Sequence, residues 1–269
     1  MLALIRGAGD LATGVALRLW RSGIKVVLTD LPQPLAIRRT VAFSEAIRLG
    51  EQTVEDVTAK RAEGAEDAKR LLRGGVVPVL ADPKLACLAA LQPDAVVDAI
   101  LAKRNLGTRI DFAPVVVALG PGFTAGKDCH AVVETMRGHD LGRAIYEGSA
   151  LPNTAVPGLI GGFAGERVLR APADGVLRTQ AEIGRHVEAG ETVGTVGDAP
   201  MRATISGVLR GLLPDGTPVT AGLKAGDVDP RDAADYCRTV SDKALAVGGG
   251  VLEAILHLTG ALRDVTRSE

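Results

Sequence analysis

The apolar run Leu2-Ala3-Leu4-Ile5 leads directly into Gly7-x-Gly9-x-x-Ala12 and then into an amphipathic stretch. Strand, glycine turn, helix is the context that gives a G-x-G-x-x-[GA] pattern its meaning. A turn this sharp has no room for a side chain at Gly7, and one at Gly9 would keep a phosphate off the backbone. Free N–H groups at the helix start, together with the helix dipole, favour an anion there. Gly7, Gly9, Asp10, Leu11 and Ala12 are therefore predicted to contact a phosphate-bearing ligand. Asp30 ends the next apolar run, roughly 20 residues on, where a carboxylate accepts from ribose hydroxyls and repels a 2′-phosphate. The plainer alternative is a glycine turn that only packs helix on strand.

Apolar, β-branched runs recur at 2–5, 25–29, 76–80, 95–98 and 114–119, and helix-period patterns lie between them at 11–22 and 34–49. Near-continuous apolar strands separated by helices indicate a parallel sheet covered on both faces. The expected fold class is α/β, with a Rossmann-like parallel sheet over residues 1–150. In such sheets ligands bind beyond the carboxyl ends of the strands. Two later loops are expected at that edge. One carries Lys103, Arg104 and Asn105, and the other carries Gly120, Gly122, Phe123 and Gly126. Lys103 and Arg104 suit phosphates but read equally well as solvated charges. His130 is a weak catalytic candidate. The neighbouring Cys129 and His130 do not make a metal motif, and Cys129 reads as a small buried residue.

Charge excludes some partners. The 269 residues hold 31 Lys+Arg and 32 Asp+Glu, a net charge of -1, and aromatics are only 3%. No basic stripe favours nucleic acid or an anionic membrane. No uncharged apolar run approaches the roughly 18–20 residues of a spanning helix. The apolar start reads as a buried strand rather than a signal peptide. Cys87, Cys129 and Cys237 are odd in number and far apart, which fits a reduced, cytoplasmic location.

The C-terminal half contains a repeat. Residues 171–196 and 203–228 align at an offset of 32, and Gly-Val-Leu-Arg at 175–178 returns at 207–210. Two short glycine-punctuated units suggest a pseudo-twofold β structure. The phrases resemble a biotinyl/lipoyl-like β barrel-sandwich module, expected over 166–229. The hairpin at 197–202 has no lysine, so a swinging cofactor arm has no attachment point. Residues 151–165 read as a linker. Residues 230–269 read as a helical segment, broken at Gly248-Gly249-Gly250, that packs back on the sheet domain.

Several phrases together resemble the selenium-dependent molybdenum hydroxylase system accessory protein family. They are IRGAGDLATGVALRL, PLAIRRTVAFSEA, VVDAILAKRNLGT, ALGPGFTAGKDCHAVVETMRGHDLGRAIYEG, PNTAVPG and GGGVLEAI. Cys129 departs from the aliphatic residue expected at its position. The resemblance implies a maturation factor for such a hydroxylase, which binds a nucleotide-bearing cofactor. The ligand is expected to be NAD or a molybdopterin nucleotide, and a molybdenum hydroxylase is the implied protein partner. The alternatives are an NAD-dependent oxidoreductase or an NAD-sensing regulatory protein. A hydride enzyme needs a placed acid or base, and no Tyr-x-x-x-Lys pair stands out.

Overall fold

The computed structural model describes residues 1–154 and 158–262. Of the predicted linker, Ala155, Val156 and Pro157 lie outside the described residues, and so do residues 263–269 of the predicted tail. The described chain forms two compact units. The first holds residues 1–34, 42–153 and 240–262, and the second holds 35–41, 154 and 158–239. No described helix is long and apolar enough to cross a membrane.

The first unit runs β1 (Leu2–Arg6), α1 (Asp10–Arg21), β2 (Lys25–Thr29), α2 (Glu45–Leu49), β3 (Glu51–Val54), β4 (Val57–Ala62), α3 (Ala65–Arg73), β5 (Val77–Leu80), α4 (Leu88–Leu91), β6 (Ala95–Asp98), β7 (Val115–Leu119), β8 (Ala131–Val133), β9 (Ala144–Ile145) and, at the end of the chain, α5 (Asp242–Thr259). One nine-stranded sheet has the order β3-β4-β5-β2-β1-β6-β7-β8-β9. Its centre is parallel, while β3 pairs antiparallel with β4 and β9 pairs antiparallel with β8. Every residue of β6 and β7 is buried. Val, Ala and Leu fill those strands because both faces are covered.

The second unit contains β10 (Val168–Arg170), β11 (Gly175–Thr179), β12 (His186–Val187), β13 (Thr192–Val196), β14 (Ala199–Arg202), β15 (Gly207–Leu212), β16 (Pro218–Val219) and β17 (Lys224–Asp229). They form two four-stranded antiparallel sheets, β10-β17-β15-β12 and β14-β13-β11-β16. The repeats exchange strands: β12 of the first copy pairs with β15 of the second, and β16 of the second pairs with β11 of the first. Leu177 and Leu209, equivalent in the repeat, are both fully buried in the common core.

The expected fold class is corrected in both halves. The sheet is mixed rather than a Rossmann-like parallel sheet, because two short antiparallel strands close its edges. The expected alternation of strand and helix is also incomplete. Between β6 and β7 stands only a 3-10 turn, Ile110–Phe112, and α4 is four residues long. The second half is two separate four-stranded sheets in a unit that also takes in residues 35–41, not a self-contained biotinyl/lipoyl-like module. The predicted helix at 34–49 shrinks to α2 and a 3-10 turn, Arg39–Val41. Its front part is held elsewhere: Leu212 donates its N–H to the Ile37 carbonyl, and the Arg39 Nε donates to the Leu212 carbonyl.

The expected break at Gly248-Gly249-Gly250 is also overturned, since α5 runs through all three. Two of them, Gly248 and Gly250, serve close packing. A Cβ built on Gly248 would stand 2.9 Å from the Gly14 carbonyl of α1, and one on Gly14 would stand 2.5 Å from the Ala244 Cβ of α5. The two helices touch backbone to backbone, which larger side chains would prevent.

Candidate functional site

The β1–α1 turn sits at the carboxyl edge of the sheet, held from behind. Gly7 has φ +105°, and a Cβ there would lie 2.9 Å from the Ala99 carbonyl oxygen, so the fold itself demands glycine. Gly9 is different. It is the N-cap of α1 with φ −69° and extended ψ, and a Cβ there meets nothing within 4 Å. No side chain caps this helix. Ser, Thr or Asp would serve a free helix end better. Glycine at Gly9 therefore leaves open space over an uncapped helix start.

Asp30 reaches the same turn, but as a brace. Its Oδ2 accepts from the Ala8 N–H at 2.8 Å and its Oδ1 from the Leu31 N–H at 2.7 Å. Burial pushes the Asp30 carboxyl up, and these two N–H donors pull against that change. Its expected service as a ribose reader is thus shared with a structural duty. On the far side, the Thr13 hydroxyl accepts from the Phe43 N–H, and the Ala8 carbonyl accepts from the Ser44 N–H.

The loop after β6 adjoins Gly7 and is tied by residues that no motif reveals. Arg6 donates to the Thr108 hydroxyl at 2.9 Å and to the Leu106 carbonyl at 2.9 Å, and it pairs with buried Asp98 at 3.4 Å. Thr108 donates to the same Asp98 oxygen at 2.5 Å. Their one signal in the sequence is an acid at the end of β6, in the place that Asp30 takes just after β2. Within this loop Leu101 and Lys103 hold φ of +60° and +62°. Such strain in non-glycine residues persists only where surroundings impose it. Lys103 and Arg104 are exposed, and neither side chain forms a hydrogen bond or ion pair among the described residues.

Gly122 belongs here too. A Cβ on it would lie 2.5 Å from the Arg104 Cα, so the loop after β7 rests on the Lys103–Arg104 backbone. Gly120 turns the chain at the end of β7, against the Thr135 hydroxyl. The edge thus gathers Gly7, Gly9, Asp10, Asp30, Lys103, Arg104, Gly120 and Gly122.

Other predicted residues are placed elsewhere. Phe123, Leu11 and Ala12 turn their side chains into the core. Asn105 shapes its own turn, with its Oδ1 accepting from the Gly107 and Thr108 N–H groups at 2.8 Å. Gly126 lies in a turn closed by its N–H to the Cys129 carbonyl. His130 stands at the opposite edge, beside the start of β7, and its Nδ1 accepts from the Val116 N–H at 3.0 Å. That bond engages one ring nitrogen in the sheet, far along the strand from Gly7. Among the described residues, no three His, Cys, Asp or Glu side chains are grouped to hold a metal ion. A cavity of about 530 Å³ also opens at that opposite edge, beside Met1, Asp94, Pro114 and Leu258.

The three thiols are buried and free. Burial pushes Cys87 and Cys129 up to about 12, with help from the Asp82 and Asp128 carboxylates respectively. Reactive cysteines have depressed values and access to solvent. Native protein at pH 8 is therefore expected to react with a thiol reagent only after denaturant is added. Labelling of the native protein at the rate of a free thiol would contradict this.

No family model matches the chain. A curated relative does: the uncharacterized protein YqeB of Escherichia coli (strain K12) is 54% identical over 258 residues, covering 96% of this chain and 48% of the relative. The chain is a homologue of YqeB. It spans about half the length of that relative, whose name carries no reference to selenium or molybdenum. Among solved structures, an aspartoacylase family protein from Mesorhizobium loti aligns over 84% of this chain and 83% of its own at 15% identity, with a TM-score of 0.26. A succinylglutamate desuccinylase/aspartoacylase from Rhodobacter sphaeroides aligns over 54% of this chain and 60% of its own at 20% identity, with a TM-score of 0.23. Scores this low carry no argument about fold or activity.

The functional expectation is corrected accordingly. The Rossmann crevice of the expected maturation factor, the NAD-dependent oxidoreductase and the NAD-sensing regulator rested on a parallel dinucleotide-binding fold, and the maturation role itself rested on the resemblance. The sheet is instead mixed and its helical layers are incomplete.

Proposed function

We propose that this YqeB homologue binds a small molecule through a phosphate seated over the β1–α1 turn. The observation that carries this reading is Gly9, a glycine that the backbone does not require, which leaves the uncapped start of a twelve-residue helix open. The first-turn N–H groups and the helix dipole attract the anion. Lys103 and Arg104, exposed on the neighbouring loop, supply mobile counter-charge. Asp10, in the first turn, opposes them with its negative charge. NAD and a molybdopterin nucleotide are the two ligands proposed for trial.

Calorimetry with each ligand on wild type and Gly9→Val tests it. Wild type is expected to bind at least one of them, and the valine, which fills the open space, is expected to abolish binding while leaving the melting temperature nearly unchanged. Gly9→Ser adds a cap and is expected to stabilise the fold by a few tenths of a kcal/mol while weakening the ligand. Binding by Gly9→Val equal to that of wild type would sink the proposal, as would no binding of either ligand by wild type.

A further inference from the structure

The second unit contains a buried charge cluster that the repeat does not need. Arg210 is the extra residue of a β-bulge in β15, where the register to β17 shifts between Leu209 and Gly211. Bulges re-aim side chains and are enriched near binding sites. The Arg210 side chain, 6% exposed, donates to Asp229 at 3.0 Å. Asp227 and Asp229 alternate with Val228 and so share one face of β17. Arg231 grips Asp229 with two bonds of 2.9 and 2.7 Å. Arg38 donates to Asp227 at 2.6 Å, and Arg167 stands 4.0 Å from the same oxygen.

Four guanidiniums thus surround two buried carboxylates. The Arg210 Nε is buried with no hydrogen-bond partner. A buried charge with an unsatisfied donor calls for an acceptor that carries negative charge. The first copy of the repeat shows what the fold requires by itself. There Arg178 takes the place of Arg210, pairs in regular register with Thr195, and is 65% exposed. Thr195 and Gly197 stand where the second copy has Asp227 and Asp229. The same strand pair is built without buried ions, so the ions of the second copy serve something else. The Tyr236 ring lies 4.6 Å from the Arg231 guanidinium carbon and 6.0 Å from that of Arg210, and the Arg231 side chain is 39% exposed. Tyr236 is 41% exposed.

We propose that Arg38, Arg167, Arg210 and Arg231 form a binding site for a small dianion of the phosphate or phosphomonoester type. Guanidinium groups suit such oxyanions because their paired N–H donors match two oxygens at once, and the unpartnered Arg210 Nε supplies a donor for one of them.

The test uses the full chain. Inorganic phosphate and glycerol phosphate are titrated by calorimetry at constant ionic strength set with chloride. Saturable binding of either that persists in Gly9→Val supports the site, and the tighter of the two identifies the ligand class. Arg231→Gln, on the solvent side, is expected to weaken affinity about tenfold, the loss of one charge-assisted contact. Asp227→Asn removes an opposing negative charge and is expected to tighten binding, a direction that a purely structural role does not give. The same titrations are run on Gly9→Val, in which the β1–α1 turn is closed, so that binding which remains belongs to the arginine cluster and binding which disappears belongs to the turn. The proposal is overturned by no saturable binding to wild type, by Arg231→Gln binding as well as wild type, or by a folded Asp227→Asn that binds more weakly. If Asp227→Asn does not fold, the Arg231→Gln comparison decides alone.

Discussion

Gly250→Ala is expected to destabilise the protein by about 1–3 kcal/mol, the usual cost of forcing extra atoms into a packed interface. Gly249→Ala, one residue earlier, is expected to stabilise it by about 0.5–1 kcal/mol. Helix propensity alone predicts a gain at both positions. The neighbours reverse the sign at one of them. A Cβ on Gly250 would collide with the Gly142 carbonyl oxygen and come within 2.9 Å of a Val133 methyl, whereas one on Gly249 meets nothing within 4 Å. Gly14→Ala, on the facing surface of α1, is expected to follow Gly250, because its Cβ would meet Ala244 backbone at 2.9 Å. Chemical denaturation of the single variants reads the difference directly. Equal stabilisation by Gly249→Ala and Gly250→Ala would mean that α5 does not seat against its neighbours as described.

The second large effect is expected at Asp229. Asp229→Ala leaves the Arg210 and Arg231 guanidiniums facing each other without their shared carboxylate, and the expected loss is about 3–5 kcal/mol. Asp215→Ala removes the exposed partner of Arg178, and a much smaller loss is expected, because solvent screens an exposed pair. The contrast isolates burial, since the two arginines are equivalent in the repeat. Acid sensitivity follows from the same cluster. Burial pushes the Asp229 carboxyl up, but the Arg231 hydrogen bonds and the Arg231 and Arg210 charges outweigh it and hold the group at about 2. A folded value below the ordinary 3.8 means that the stabilisation is complete above about pH 4 and disappears as pH falls through about 2. The free energy lost over that range is about 2 kcal/mol. Denaturation curves between pH 5 and pH 2 for wild type and Asp229→Asn check it. The variant is expected to lack this part of the acid slope, and parallel slopes would place the acid-sensitive group elsewhere.

Much of the first unit is legible in the sequence, and the reason is local. The apolar runs at 2–5, 25–29, 76–80, 95–98 and 114–119 become β1, β2, β5, β6 and β7 with ends shifted by at most one residue. These strands are buried on both faces, so burial writes an unbroken Val, Leu and Ile signal. The edge strands carry no such signal. β3, Glu-Gln-Thr-Val, is largely exposed, and β9 has only two residues. Without them a mixed sheet reads as a parallel one. The helix expected at 34–49 fails for another reason. Its apolar period is real, but Ile37 and Arg39 are bound by Leu212, far away in the chain, and a tertiary partner overrides local propensity.

The candidate site divides along the same line. Gly7-x-Gly9 and its placement at a strand end are written in a few consecutive residues, because a tight turn is a short-range demand. Whether each glycine serves the fold or an open space is not written there. Gly7 is required by the Ala99 carbonyl, and Gly9 by nothing within reach of a Cβ. Asp30 looks the same in sequence whether it faces ribose or the Ala8 N–H. The repeat of Gly-Val-Leu-Arg is visible from the residues alone, yet Arg178 reaches solvent and Arg210 is buried, because a bulge, Arg38 and two distant carboxylates surround only the second. Periodicity and turn chemistry are properties of neighbours along the chain, so the sequence by itself determined strands, turns and repeat. The tertiary structure alone decided the sheet edges, the unbroken α5 and the buried arginines, because each depends on atoms that meet only when remote segments pack.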